Sequence, residues 1–299
     1  MRKVLIDCDP GIDDALALAY LAGLHQAGEI EIMGVTTTAG NVGVGQTAAN
    51  AAWVLATCGL DDVPVAPGAA TPLSLELVTT PETHGSAGLG YIDGPQNRNW
   101  AFHDAQKLWN DAAGANLIVT GPLTNAARMG IEDFESVTVM GGAFNYRGNT
   151  TPTAEWNFWV DPHACQQFFR GILPSLVRLC SLEVTEKFLI TPQRLEQLSQ
   201  EGIGRYWPDM LRFYFEFHDT QGEGYQAQIH DLLTCMIALD KVPYVAVETT
   251  VDIEADSELL RGTSVADLRS HWNRPANTEL VVDADMDAAH TEVRRILGK

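Results

Sequence analysis

The 299-residue sequence predicts an α/β fold: one domain built on a mostly parallel, doubly wound, Rossmann-like sheet flanked by helices. Three observations carry this. Short β-branched apolar runs alternate with helical stretches from one end to the other. Several of the apolar runs end in a tight turn rich in Gly, Pro or Thr and pass directly into a helix. No linker, repeat or low-complexity segment interrupts the alternation, so residues 1–299 read as a single domain. A compact chain this long buries about 75% of the surface its unfolded form exposes, enough for a core without crosslinks.

The elements follow in order. Val4-Leu5-Ile6 is an apolar run that reads as a buried strand. Pro10-Gly11 then turns the chain into Ala15 to Gln26, strong helix formers with a broad apolar face, stopped at Gly28. Ile30 to Thr38 is the second strand, and its small polar end, running to Asn41, marks a place where something approaches the backbone. Asn41 taken alone reads as a turn residue. Gln46 to Cys58 is an Ala-rich helix and Val63 to Val65 a short strand. Residues 67–100 hold Pro and Gly and little periodicity, and long irregular loops are usually functional or disordered. His84 within that loop is either an ordinary loop residue or part of a pocket lid. A helix near 103–112 leads to strand Ala115 to Val119, a turn, and a helix with Thr124 as candidate cap. Val137 to Met140 is a strand ending in two glycines, followed by an irregular loop from 143 to 159. In that loop Glu155 and Asn157 would face one side of an extended stretch, as a grip for a diol or as a plain polar face. Helices are expected at 161–170, 191–199 and 205–218, and a strand at 175–182. The aromatic face of 205–218, with Tyr206, Phe213 and Phe217, reads as core. His230-Asp231 opens a helix over 232–239, with Asp231 either a plain cap or part of a site. Strands near 245–254 and 278–283 and a helix over 286–297 close the chain.

The formal net charge of −20 argues against nucleic acid or an anionic membrane as partner and fits an enzyme for a small neutral or cationic substrate. The five cysteines are scattered and odd in number, which reads as reduced core thiols in a cytoplasmic protein. No signal peptide and no apolar run long enough to span a bilayer is expected from the sequence.

The chemistry concentrates in Asp7-Cys8-Asp9-Pro10-Gly11-Ile12-Asp13-Asp14. The acids lie at the carboxyl end of a strand, across a tight loop, and in the first turn of a helix, where the helix dipole favours negative charge. Open α/β sheets bind ligands in that crevice. Capping explains two of the four carboxylates. Four so close together repel strongly unless one protonates or a cation sits among them. The oxygen-only donor set, with no Cys-x-x-Cys and no His-x-x-x-His, suits Ca²⁺ or Mg²⁺ over Zn²⁺.

The motifs together resemble those of the nucleoside hydrolases of the inosine–uridine type. Besides the stretch from Val4 to Asp14, the similarity includes Thr37-Thr38-Ala39-Gly40-Asn41, His84-Gly85, Thr120 to Asn125, Met140-Gly141-Gly142, Glu155-Trp156-Asn157 and His230-Asp231, in that family's order over the whole chain. The resemblance implies hydrolysis of the N-glycosidic bond of a ribonucleoside to ribose and free base. It implies a Ca²⁺ held by Asp9, Asp14, Asp231 and the carbonyl of Thr120, with Asp9 as the base that deprotonates the water at the metal. Asp13, Asn41, Asn149, Glu155, Asn157 and the carbonyl of Met140 would hold the ribose hydroxyls. His84 and His230 would lie by the nucleobase, His230 as acid or hydrogen-bond donor to the departing base, and Asp7 would support the loop from behind. Relatives lead to the expectation of a homodimer or homotetramer. The purine-specific branch places Trp where this chain has His230, which favours the inosine–uridine or pyrimidine branch. The segment from Gly90 to Pro95 is longer than the usual pattern and Gly222 to Gln228 does not match it, which leaves base preference open, along with contacts from the 86–95 loop or Tyr225.

The chemistry agrees with that implication. Cleaving a ribosyl bond passes through an oxocarbenium-like state, which carboxylates stabilise, while a grip on the 2′- and 3′-hydroxyls orients the sugar. Two other readings compete. A haloacid-dehalogenase-like phosphatase also opens with Asp-x-Asp after a strand, its first Asp the nucleophile, but here Gly11 follows two residues after the second Asp and Asp13-Asp14 are added. A non-enzymatic Ca²⁺-dependent nucleoside or ribose binder would keep the diol grip and need no base.

Overall fold

The computed structural model describes residues 1–93, 100–171, 175 and 177–298. Eight strands form the central sheet: β1 (Arg2–Cys8), β2 (Ile30–Thr37), β3 (Val65–Pro67), β4 (Asn116–Val119), β5 (Ser136–Met140), β6 (Val177–Cys180), β7 (Tyr244–Thr249) and β8 (Thr278–Ala284). Their spatial order is β3-β2-β1-β4-β5-β6-β8-β7. All pairs are parallel except β7, which runs antiparallel along β8 at the edge. The expected mostly parallel, doubly wound sheet is therefore the observed one.

Alternation within β1 explains why the sheet is buried on both faces. Val4 and Ile6 belong to one apolar cluster and Leu5 to another, and all three are fully buried. On the first face the helix Ile12–Gln26 packs against His230–Ala238, Val44–Thr57 and Met286–Leu297. On the second lie Ala105–Asp111, Thr124–Met129 and Pro162–Arg170. The chain moves outward from β1 through β2 to β3, then returns to place β4 on the other side of β1. This reversal of direction makes the carboxyl ends of β1 and β4 the crevice where open sheets bind ligands.

Several boundaries differ from expectation, for local reasons. The helix expected from residue 232 begins at His230, so Asp231 lies inside its first turn. Thr124 is the first helical residue, not the cap; its Oγ1 donates to Asp161 Oδ2 at 2.8 Å instead. The irregular loop 143–159 contains the short helix Trp156–Val160, capped by the Glu155 side chain, so Glu155 and Asn157 are not on an extended stretch. Of 191–199 only Pro192–Leu195 is helical. The helix expected at 205–218 runs Trp207–Thr220, after the 3₁₀ turn Gly202–Tyr206. The strand near 245–254 is two strands: β7, and Val251–Ile253, which pairs with Ser264–Ala266 in a separate ribbon. The strand expected at 63–65 sits at Val65–Pro67, and Pro67 is its last residue, where the missing N–H interrupts no further ladder. The expected strand 175–182 is seen over Val177–Cys180, with 176 outside the described residues. Gly94-Pro95 also lie outside them.

Among the described residues all five cysteines are unpaired and four are buried. No helix among them is long and apolar enough to cross a membrane.

Candidate active site

The crevice over β1 and β4 is a cavity of about 740 Å³. Its floor is the acidic stretch. Asp7, the last side chain of β1 but one, is fully buried behind it. Asp7 Oδ1 accepts from Thr36 Oγ1 and Asn125 Nδ2, both at 2.7 Å, while Oδ2 has no partner. Burial pushes its carboxyl up to about 7. Asn125 completes the support: its Nδ2 also reaches the Thr37 carbonyl and its Oδ1 accepts from Ala69 N. Asp7 therefore braces the strand ends and does not line the cavity.

Asp9 does line it. Its Oδ2 accepts from the backbone N–H of Asn41 at 2.8 Å, and Asn41 Nδ2 donates to the Asp9 carbonyl at 3.1 Å. Two glycines flank the carboxylate: a Cβ at Gly40 would fall 2.1 Å from Oδ2, and one at Gly121 2.8 Å from Oδ1. What approaches the backbone at the end of β2 is thus the carboxylate of Asp9. Its pKa is pushed well above the usual range, by burial and then by Asp14, against the Asn41 N–H.

The helix Ile12–Gln26 begins one residue after Gly11 and brings Asp13 and Asp14 into its first turn. Asp14 is pinned: Oδ2 accepts from Gly11 N at 3.0 Å and Oδ1 from Thr120 Oγ1 at 2.8 Å. Asp231 arrives from the first turn of another helix. Oxygens of Asp13, Asp14 and Asp231 all lie within 4.8 Å of one another, and all three residues are buried. Asp9 is outside that closest trio, and Asp13, expected on the sugar side, is inside it. Burial together with the neighbouring carboxylates raises Asp13 to about 7 and Asp231 well above its usual range. A cluster of this kind must take up protons or a cation. Oxygen donors alone fit a hard cation of the Ca²⁺ type.

The sugar-side residues come from β4, β5 and the loop after it. Asn157 Nδ2 donates to the Thr120 carbonyl at 2.7 Å and more distantly to the Met140 carbonyl at 3.4 Å, so one amide ties the ends of β4 and β5 together. Glu155 accepts from the backbone N–H groups of Gly142, Asn157 and Phe158, and burial still lifts its carboxyl to about 7. Asn149 Oδ1 accepts from Trp156 N at 2.9 Å, which leaves its NH₂ as the group that can donate. Asn41, Asn149, Glu155, Asn157, Thr120 and Met140 all line the cavity.

Both expected histidines are present. His84 Nδ1 accepts from Ile12 N at 3.1 Å, so its proton sits on Nε2. His230 Nδ1 lies 2.9 Å from Thr185 Oγ1. Burial drives each down to about 3, so both are neutral at pH 7.

Tyr225 does not line the cavity; it is exposed and packs on Phe215. Residues 86–93 do not line it either. Sequence reasoning missed Tyr214, His218, Glu223 and Arg147, which do. Tyr214 and His218 are four residues apart on Trp207–Thr220 and share one helical face, a spacing visible in the sequence. Tyr206 in the preceding 3₁₀ turn and Phe213 on the helix are partly buried against the core, as expected, while Phe217 also reaches the cavity. Arg147 bridges Glu186 and Glu223, and Glu223 bonds His218 Nδ1 at 2.8 Å, linking the sugar-side loop to the helical wall.

Comparison with known proteins adds three findings. A family model described as inosine-uridine preferring nucleoside hydrolase matches residues 4–291. The chain is 32% identical to a pyrimidine-specific ribonucleoside hydrolase RihA of Photobacterium profundum over 302 residues, 95% of this chain and 94% of that protein. It is 34% identical to the RihA of Shewanella oneidensis, over 93% of this chain and 90% of that protein. Among solved structures, a plant nucleoside hydrolase, PpNRh1, superposes with a TM-score of 0.87 at 26% identity, covering 100% of this chain and 99% of that one. A purine-preferring ribonucleoside hydrolase from Gardnerella vaginalis gives 0.86 at 24% identity, with 99% of each chain covered.

Proposed function

The chain belongs to the inosine-uridine preferring nucleoside hydrolase family, and from that premise we propose that it is a Ca²⁺-dependent hydrolase of pyrimidine ribonucleosides, releasing ribose and free base. That it is a ribonucleoside N-ribohydrolase follows from its family and curated relatives. Preference for pyrimidines is supported by relatives whose names specify it, at 32–34% identity. The observation that carries the site assignment is that Asp9, Asp13, Asp231, Glu155 and Asn157 line one cavity, with Asp14 clustered against Asp13 and Asp231.

Asp14, Asp231, Asp9 and the Thr120 carbonyl would hold the cation, beside Asp13, whose carboxylate lies within 4.8 Å of those of Asp14 and Asp231. When bound, the cation supplies Lewis acidity that lowers the pKa of water. Asp9 is the residue placed to take the proton from the attacking water, because its carboxylate lines the cavity and is fixed by Asn41 and the two flanking glycines. Asp13, Glu155 and Asn149 grip the ribose hydroxyls, which orients C1′ and spends binding energy on distortion toward the transition state. The developing positive charge on the sugar is stabilised by the same carboxylates.

A phosphatase of the haloacid-dehalogenase kind would need Asp7 as nucleophile, and Asp7 is sealed behind the floor. Incubating the protein with uridine, 2′-deoxyuridine and 4-nitrophenyl phosphate, and measuring free sugar and phosphate, tests the assignment. Uridine should yield ribose. A site built to bond a hydroxyl rejects the analogue lacking it by roughly 10⁴-fold, so 2′-deoxyuridine should be nearly inert. Binding of uridine without ribose release would instead make the protein a nucleoside binder.

A further inference from the structure

A second cavity, of about 310 Å³, lies between residues 190–198 and the terminal helix Met286–Leu297. Two arginines line it, Arg194 from the short helix Pro192–Leu195 and Arg294 from the last turn of the terminal helix, together with His290. Their bonds within the protein are long: Arg194 Nη1 donates to the Leu189 carbonyl and Arg294 Nη2 to Thr291 Oγ1, each at 3.4 Å. Among the described residues neither guanidinium pairs with a carboxylate, and that includes Asp287 on the same cavity wall. Carboxylates are not scarce, since acidic side chains outnumber basic ones 39 to 19. Arg2, Arg147, Arg170, Arg178 and Arg295 each reach one.

His290 ties the two arginines to one small volume. Its ring lies along the buried Phe188, with centroids 4.7 Å apart and planes at 29°. Burial and then Arg194 hold the imidazole down to about 4, with Arg294 acting the same way and Asp287 against them. The ring is therefore neutral at pH 7 and keeps one N–H to donate. Like charges brought together in a half-enclosed space attract an anion, and a guanidinium fork matches phosphoryl oxygens two at a time. The catalytic cavity has the opposite character. Asp9, Asp13, Glu82, Glu155, Glu223 and Asp231 line it, and Arg147 on its wall is already shared between Glu186 and Glu223. A phosphoryl group is repelled there and attracted here.

We propose that this second cavity is a binding site for a small phosphate-bearing anion, its oxygens taken by the guanidinium groups of Arg194 and Arg294 and the N–H of His290. Gln197 and Thr291, on the same wall, supply neutral donors. The volume is at the small end for ligand pockets, which fits inorganic phosphate or a small phosphomonoester. Binding is non-covalent. No residue lining this cavity also lines the catalytic one, so the site stands apart from the nucleoside hydrolase reading.

Isothermal titration calorimetry of the full-length protein with sodium phosphate and with ribose 5-phosphate, at fixed ionic strength and with excess divalent cation removed, tests the site. Wild-type protein should bind at least one of them. Tighter binding of phosphate makes the ligand the free anion, and tighter binding of ribose 5-phosphate makes it a phosphomonoester. Arg194→Gln and Arg294→Gln each remove a charge from a side chain without an ion-pair partner, so both variants should keep the wild-type Tm in the absence of ligand. Each should weaken binding about tenfold or more, the usual loss of one charge-assisted contact. In wild-type protein the His290 ring signals in NMR spectra should shift along the same titration. No binding of either ligand at millimolar concentration overturns the proposal. So does undiminished affinity in both variants, or an unmoved His290 ring, either of which would place the anion elsewhere.

Discussion

Asp9 and His230 both line the cavity, and their proposed roles should be separable by leaving group. In the proposed mechanism Asp9 acts on water, so every substrate would need it. His230 is neutral at pH 7, its Nδ1 bonded to Thr185, and can offer a hydrogen bond to a departing base. A poor leaving group such as hypoxanthine gains from that help, typically about 10²–10⁴-fold for acid assistance, whereas nitrophenolate hardly needs it. His230→Ala should therefore cut inosine hydrolysis severely and spare 4-nitrophenyl riboside. Asp9→Ala should abolish both. Steady-state kinetics on the two substrates, with folding verified by circular dichroism, reads the outcome; equal losses for His230→Ala would reduce that histidine to a packing role.

At the scale of elements, the site depends on how closely the strand ends can approach one another. Gly40 follows β2 and Gly121 follows β4, and their missing side chains are what admit the carboxylate of Asp9 between them. An added methyl at residue 40 would sit 2.1 Å from Asp9 Oδ2, so either the carboxylate or the backbone must move. Gly40→Ala should cost about 1–3 kcal/mol of stability, the usual result of overpacking, and should remove most of the activity by displacing Asp9. Gly45→Ala supplies the control. It lies in the helix Val44–Thr57, nothing would come within 4 Å of its new methyl, and helix propensity favours the change by roughly 0.5–1 kcal/mol. If chemical denaturation shows the two variants equally stable and both remain fully active, the packing account of the Asp9 pocket fails.

For the whole molecule, the cation proposal is also a proposal about folding. Asp13 and Asp14 arrive on one helix and Asp231 on another more than 200 residues later, both packed on the same face of the sheet. A cation that binds this convergence, and not the unfolded chain, stabilises the fold by about 2.7 kcal/mol at a hundred times its Kd. Removing it leaves like charges buried together. Chelation should therefore lower Tm by several degrees and abolish uridine hydrolysis, and added Ca²⁺ should restore both. Full activity after verified metal removal would show that the acidic floor works without a cation.

The sequence by itself determined the alternation of elements, and hence the sheet and its doubly wound class. Hydrophobic runs and turn residues act locally, so β1 with its following helix, β2, β5 and the terminal helix are legible from neighbours in the chain. The floor was legible for the same reason, since Asp7 to Asp14 is one contiguous stretch across a strand, turn and helix start. Tertiary structure alone decided which acids meet. Asp7 faces Thr36 and Asn125 and leaves the cavity, while Asp13 joins Asp14 and Asp231, because strand pairing and helix rotation fix those directions and spacing along the chain does not. It also decided the base-side wall. Tyr214 and His218 look in sequence like two more polar and aromatic positions on a helix whose aromatics serve the core. Only the packing of Trp207–Thr220 beside His84 brings both of them to the cavity wall.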